Sequence, residues 1–399
     1  MRHIGIQERR ARLGVRHHLA ATTAASTPAE AAAGVVALHA TDPASVFLSV
    51  SARTAGIDVA TIEGALYQQR SLLRMLGMRR TMFVVPVELA PVLQAACATA
   101  VAAQQRRRYA QLLAKGGAGD AGDPAWLRKV EDAAARALAA RGEATGAQLA
   151  ADEPLLRTQV QMAEGKAYAA KQNITSWVLL LLAAEGRIVR GRPLGSWTST
   201  QWRWSPVEAW LPDGIEDWPA PDARAELVRR WLAAFGPGTP ADLRWWTGWT
   251  AAHVKQALTA VEAVEVDLGD TTGLVLPDDL EPVAEPAPWV ALLPALDPTP
   301  MGWSERSWYL GPHAPALFDR SGNIGPTVWC DGRIIGGWAQ RPGGEVAYRL
   351  LEDVGGQAGR EVAAAADRLA GWLGPVRVTP RFRTPLEREL ATGPASRAG

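Results

Sequence analysis

Between Asn173 and Glu185 the apolar residues Ile174, Trp177, Val178 and Leu181 fall at i, i+3, i+4 and i+7. That spacing is one face of a helix, with Asn173 as its expected N-cap and Gly186 as its stop. The period then changes. Arg187–Ile188–Val189–Arg190 and the stretch Trp197 to Trp204 read as strands around a Gly191–Arg192–Pro193–Leu194–Gly195 tip. Upstream, a Gly, a Thr suited to cap a helix and a short apolar helix follow one another in Gly142–Glu143–Ala144–Thr145–Gly146–Ala147–Gln148–Leu149. The same unit recurs in Gly236–Pro237–Gly238–Thr239–Pro240–Ala241–Asp242–Leu243. Each copy follows an amphipathic helix and precedes a second helical stretch and two short strands. Helix, capped turn, helix, helix and hairpin is the layout of a winged helix.

A third copy can be read near the N-terminus. Helices are expected over Ile6 to His18 and Ser26 to Leu38, the latter opened by Ser26 or Thr27 with Pro28 at N1. Asp42 caps a helix with Pro43 at N1, and Asp58 caps another with Ile62, Leu66 and Tyr67 inward. Ser71–Met75 and Thr81–Val85 then read as strands, with Arg79 and Arg80 near the hairpin tip. After a Pro-rich stretch from Pro277 to Pro288, strands are expected at Trp289–Leu293, Thr327–Cys330, Arg333–Trp338, Glu345–Leu350 and Val376–Val378, with one helix over Gly359–Leu373. Asp331–Gly332 is a hairpin turn signal. The pattern predicts an α+β chain of three tandem winged-helix domains, 1–115, 124–210 and 222–280. A small C-terminal antiparallel β-barrel-like domain follows at 289–385, and Gly116 to Asp123 is the first linker.

Charge adds an asymmetry that the net value of +1 hides. Residues 1–115 hold 14 Arg or Lys against 6 Asp or Glu, leaving 28 against 35 for the rest. A basic first third suits a localised polyanion contact, or merely solvates helix faces. No apolar run in the sequence reaches the length of a membrane span. The basic stretch Met1 to Arg16 has no apolar h-region. Cys97 and Cys330 lie far apart and give neither a disulfide framework nor a metal spacing, so buried thiols in a reducing cytoplasm are expected.

The residues exclude several chemistries. There is no phosphate-binding Gly loop, no Gly-x-Ser-x-Gly elbow, and no His or Cys set for a metal. His17 and His18 cannot share one helix face and are expected at the surface near a helix C-terminus. The one cluster of mixed chemistry is His39–Ala40–Thr41–Asp42. His39 can take a proton from water, Thr41 can share that water, and Asp42 can stabilise positive charge. Equally, Thr41 and Asp42 make good caps and His39 suits a hydrogen-bonded core position. A second set is basic: Arg70, Arg74, Arg79 and Arg80 in one helix–hairpin segment, Arg106, Arg107 and Arg108, and Arg187, Arg190 and Arg192 on the second wing. Guanidinium groups at hairpin tips suit phosphate contacts or a groove.

The stretch Val35–Val36–Ala37–Leu38–His39–Ala40–Thr41–Asp42–Pro43, then Leu66 and Arg74 through Pro86, resembles the winged-helix DNA glycosylases of the AlkZ and AlkX (YcaQ-like) type. Within that type it is similar to an actinobacterial group of winged-helix DNA-binding proteins. The resemblance runs on through Ser196–Trp197–Thr198–Ser199 to Leu292–Leu293–Pro294–Ala295–Leu296–Asp297. It implies three winged helices, a C-terminal β-barrel, and excision of alkylated or crosslinked purines from double-stranded DNA. The family's Gln-Φ-Gln or Gln-Φ-Asp motif falls on His39, Ala40 and Thr41, so this chain departs from it at both polar positions. The implied enzyme is monofunctional and needs no cofactor or metal, and no lysine lies near the motif in sequence. It would be a cytoplasmic, nucleoid-associated monomer with no membrane partner. The competing class is a non-catalytic DNA binder, either a regulator or a protein that sequesters lesions or drug adducts.

Overall fold

The computed structural model describes residues 1–116, 123–162 and 170–393, so most of the expected Gly116–Asp123 linker lies outside the described residues. The chain divides into two compact units. One contains Met1–Leu72, Val84–Pro86 and Ala225–Gly399; the other contains Leu73–Phe83 and Val87–Arg224.

In the second unit the helices Pro124–Arg141, Gly146–Asp152 and Thr175–Ala184 enclose an apolar core that includes Leu127, Leu138, Leu149, Trp177 and Leu181. The Tyr109 and Trp177 rings stack within it at 4.7 Å. Strands Ile188–Pro193 and Trp202–Pro206 form a hairpin where one was expected, but Trp197–Gln201, expected in the second strand, lie outside it; Ala144–Thr145 adds a third strand beside Trp202–Pro206. Gly191–Pro193, expected in the tip, belong to the first of these strands. An unexpected second hairpin pairs Gln159–Met162 with Ala170–Asn173. Asn173 therefore ends a strand rather than capping a helix, and the helix opens at Thr175 with no side-chain cap. The helical run Val87–Lys115 is long and apolar enough to cross a membrane by length and composition. Reading uninterrupted apolar runs missed it. Its Ala102, Tyr109 and Leu113 are buried in this unit, which is the setting of a core helix.

In the first unit the helices Pro28–Ala33, Pro43–Ser51 and Val59–Tyr67 are capped by Thr27, Asp42 and Asp58, as expected. Strands Val264–Asp267 and Thr272–Val275 pair antiparallel. The chain's start joins them: Arg2 and His3 pair parallel with Val266 and Asp267. No local turn signal announces so distant a pairing. Strands Val290–Leu293, Thr327–Cys330, Arg333–Gln340 and Val346–Leu350 form an antiparallel sheet in chain order. Asp331 and Gly332 both have positive φ (45° and 78°), as a type I′ turn requires. Helices Gly355–Leu373 and Pro385–Thr392 pack against this sheet. The strand expected at Val376–Val378 does not form, and Val378 N–H instead donates to the Gln340 side chain at 2.8 Å.

The repeated capped turn is real in both copies. Thr145 with Gln148, and Thr239 with Asp242, form reciprocal capping boxes. Their glycines have different reasons. Gly142 sits at φ 79°, which disfavours any side chain, whereas a Cβ on Gly238 would lie 2.2 Å from the Trp231 ring.

The first unit is fastened by a buried polar chain. Arg53 and Asp297 are both fully buried and form a two-pronged ion pair, with N···O distances of 2.8 and 2.7 Å. Ser49 Oγ donates to Asp297, and Arg53 also donates to Thr299 Oγ1. Thr299 bonds His17 Nδ1 at 2.9 Å, and His17 Nε2 lies 3.1 Å from the Ala234 carbonyl. That carbonyl can only accept, so the proton sits on Nε2, Nδ1 accepts from the Thr299 hydroxyl, and the ring is neutral. His17 is thus fully buried, wedged against Phe235 and Trp303. The surface position expected for it is wrong, because this ring is the hydrogen-bonding junction of three chain segments.

Burial, with Arg53 nearby, lowers the His17 pKa to about 3. The unfolded chain takes up a proton near pH 6.5 that the folded ring refuses. The contribution of His17 is therefore complete above about pH 6.5 and is lost as pH falls toward 3, at about 1.4 kcal/mol per pH unit. Urea denaturation from pH 7.5 to 5 should show this slope, and His17→Gln should flatten it. Equal slopes would contradict a buried neutral ring. Asp297→Ala, which strands the Arg53 charge, should cost about 3–5 kcal/mol at pH 7. A loss under about 1 kcal/mol would contradict the network.

Candidate functional site

The His39 motif lies in the first unit, where strand Leu38–His39 leads through Ala40 and Thr41 into the helix Pro43–Ser51. Burial alternates along it. Ala40 and Asp42 are buried, whereas His39 and Thr41 are partly exposed. Thr41 N–H points at His39 Nδ1 from 3.5 Å, the long limit of a hydrogen bond. Asp42 turns inward. One carboxylate oxygen accepts from Ala44 N–H at 3.1 Å and the other from Arg381 N–H at 3.0 Å. Burial raises the Asp42 pKa against these two bonds. Both oxygens thus serve the main chain, and the structure gives Asp42 the capping role of its two expected ones.

The helix that carries the motif is held along one polar stripe. Ser45 Oγ donates to the Ala295 carbonyl at 2.7 Å, Ser49 Oγ to Asp297 at 2.7 Å, and Arg53 closes the row. These residues recur every four positions, so a single helix face docks onto the 295–299 segment.

The basic residues separate into distinct environments. Arg70 belongs to the first unit, is half-buried and has φ 55°. In the second unit Arg79 and Arg80 form an exposed tip, both in the left-handed region at φ 52° and 60°. Such backbone costs about 1–2 kcal/mol per residue and persists where surrounding contacts enforce it. Arg80 donates to the Gln105 side chain at 3.0 Å. Gln105 lies on the helix Thr99–Lys115, which also carries the exposed Arg107 and Arg108. Burial raises the Tyr109 phenol pKa, and the charges of Arg80 and Arg108 both oppose that rise. The hairpin tip and the helix therefore contribute to one basic patch.

Other arginines are engaged elsewhere and differ from the expectation of free phosphate contacts. Arg74 is buried, with its guanidinium 4.2 Å over the Trp202 ring. Arg106 is gripped by Glu131 at 2.8 Å and by Glu185. Arg187 pairs with Asp132 at 2.8 Å, and Arg190 lies 4.9 Å from the Trp204 ring centre. Arg192 is half-buried on the strand Ile188–Pro193. Carboxylates and indoles distant in sequence captured these side chains, and nothing local marks them as taken. No group of three or more His, Cys, Asp or Glu that could hold a metal occurs among the described residues.

The described residues make an α+β chain with a four-stranded antiparallel sheet, Thr-capped helix–hairpin modules at Thr145 and Thr239, and an exposed arginine tip after the Asp58-capped helix. Comparison with solved structures gives the fold a counterpart. The DNA glycosylase AlkZ of Streptomyces sahachiroi superposes with a TM-score of 0.73 at 19% identity, covering 95% of this chain and 99% of that one. No curated protein sequence matches significantly. The sequence model of the AlkZ-like DNA glycosylases matches residues 32–372, and the chain belongs to that family. Membership implies DNA as the binding partner and DNA repair as the setting.

Arg80→Ala and Arg107→Ala should each weaken duplex binding and lower the slope of log K against log[salt] by about 0.9. Arg106→Ala should leave that slope unchanged while costing about 3 kcal/mol of stability, because it strands buried Glu131. Salt titrations with denaturation curves check both. A slope reduced by Arg106→Ala but not by Arg80→Ala would reverse the assignment.

Proposed function

We propose that the protein is a monofunctional DNA glycosylase that hydrolyses the N-glycosidic bond of alkylated or crosslinked purines. The observation that carries this reading is the partly exposed pair His39 and Thr41, set directly before a helix whose own Asp42 is fully used by main-chain N–H groups. The chain's family and its likeness to the Streptomyces sahachiroi DNA glycosylase AlkZ support the same activity.

Alkylation at N7 or N3 makes the purine cationic. Its C1′–N9 bond then breaks with the electron pair passing to the base, which leaves neutral, and an oxocarbenium-like sugar remains. Water adds at C1′ and loses a proton. His39 Nδ1 is the base in this reading: its bond to Thr41 N–H is long enough for a water to displace. The Thr41 hydroxyl shares that water. A crosslinked base is tethered to the opposite strand, so recognition without full extrusion suits such a lesion. The arginine tip and its helix neighbours Arg107 and Arg108 contact phosphates or a groove.

The finer architecture belongs to the same proposal. The ranges 1–115, 124–210 and 222–280 act as winged-helix modules and 289–385 as a barrel-like β module. The protein works as a cytoplasmic monomer associated with the nucleoid.

His39→Ala should slow single-turnover release of 7-methylguanine from duplex about 100-fold, the low end for loss of a positioned base, with duplex affinity unchanged. An unchanged rate would reject His39. No release by wild type, with tight lesion-selective binding, would favour the sequestering alternative.

A further inference from the structure

The segment Val378–Thr379–Pro380–Arg381–Phe382–Arg383–Thr384–Pro385 follows the stretch matched by the family's sequence model, which ends at residue 372. It is pinned on both sides. Val378 N–H bonds the Gln340 side chain at 2.8 Å, and Thr384 is buried. Between those points Arg381 N–H is held by the Asp42 carboxylate. Asp42 adjoins Thr41 in the chain, so a distant segment is fastened to the residue next to the His39–Thr41 pair within one unit. Pro380 and Pro385 stiffen it further by fixing their own φ.

The arginines in and just before this segment are not equivalent. The Arg377 guanidinium donates to the carbonyls of Pro342, Gly343 and Gly374 at 2.9–3.0 Å. Arg383 makes a two-pronged pair with Glu387 at 2.7 and 2.9 Å. Arg381 is exposed, and among the described residues its guanidinium forms no direct ion pair; it lies 5.9 Å from the Phe382 ring, and its charge acts on the Asp42 carboxylate only at longer range. Asp42 does not neutralise it by a direct pair, since both carboxylate oxygens accept main-chain N–H groups.

We infer that Arg381 is a phosphate-contacting residue, placed by Asp42 to grip the DNA backbone beside the nucleotide that meets His39 and Thr41. The inference rests on the reading that this motif faces the damaged strand. Asp42 thereby acts twice, since the carboxylate that starts the motif's helix also fixes the arginine's main chain relative to that helix. A guanidinium is a planar donor fork matched to phosphate oxygens, and an anchored main chain lowers the entropy lost when it binds.

The test is equilibrium binding to a duplex with a single 7-methylguanine between about 50 and 200 mM salt, the range over which phosphate contacts dominate affinity. Arg381→Ala keeps the main-chain N–H that Asp42 uses, so the cap survives the substitution. It should weaken binding about tenfold at low salt and reduce the slope of log K against log[salt] by about 0.9. Arg381→Lys should restore the slope, and Arg383→Ala, which removes an already paired arginine, should change neither quantity. An Arg381→Ala slope equal to that of wild type, with or without a loss of affinity, overturns the inference. Base release by wild type, measured in the same samples, reports separately on the excision reading, since it succeeds or fails whatever the slope does.

Discussion

The ion pair between Arg53 and Asp297 is the constraint on which the first unit depends. Each charge is fully buried, so neither is tolerable without the other and without further hydrogen bonds. Those bonds come from Ser49, Thr299 and the Thr299 main-chain N–H. Through Thr299 the network continues to His17, the residue after the helix Ile6–Arg16, and to the Ala234 carbonyl. One chain of polar contacts thus ties together segments from the start, the middle and the last third of the sequence. The motif-bearing helix is caught at both ends: Asp42 anchors its beginning to residue 381, and Arg53 anchors the turn after its end to residue 297. A half-exposed pair of side chains can hold a reactive geometry only if its support is this well fixed.

Local signals were legible where local chemistry decides the outcome. Thr27, Asp42, Asp58, Thr145 and Thr239 each cap the helix that their position predicts, because a cap is an interaction over two or three residues. The Asp331–Gly332 turn was legible for the same reason. Long-range events were not. Ser45, Ser49 and Arg53 carry no local signal of burial, yet they are buried because Ala295–Thr299 supplies their partners. His17 resembles a helix-end surface residue until Thr299 and Ala234 close around it. The parallel pairing of Arg2–His3 with Val266–Asp267 has no sequence signature at all.

The candidate site was legible in the same partial way. The motif was found as a cluster of mixed chemistry, but the inward turn of Asp42 and the partial exposure of His39 and Thr41 required coordinates. The arginine set was legible as a set, and its division was not. Glu131 and Glu185 take Arg106, Asp132 takes Arg187, and Trp202 covers Arg74, leaving Arg79, Arg80, Arg107 and Arg108 at the surface. Gln105 is silent in the sequence, and its importance comes only from receiving Arg80. Arg381 is silent too, since a lone arginine between Pro380 and Phe382 carries no spacing that points to residue 42.

At the centre of the proposed chemistry, a water-derived oxygen, rather than a protein nucleophile, replaces the damaged base. Product analysis tests this most directly: a duplex with one 7-methylguanine is incubated with excess protein, with and without borohydride, and every product is identified by mass. Hydrolysis predicts free 7-methylguanine, an unbroken strand bearing one abasic sugar, and no covalent protein–DNA adduct. Strand cleavage at the lesion, a borohydride-trapped adduct, or recovery of the intact methylated strand alone would contradict it.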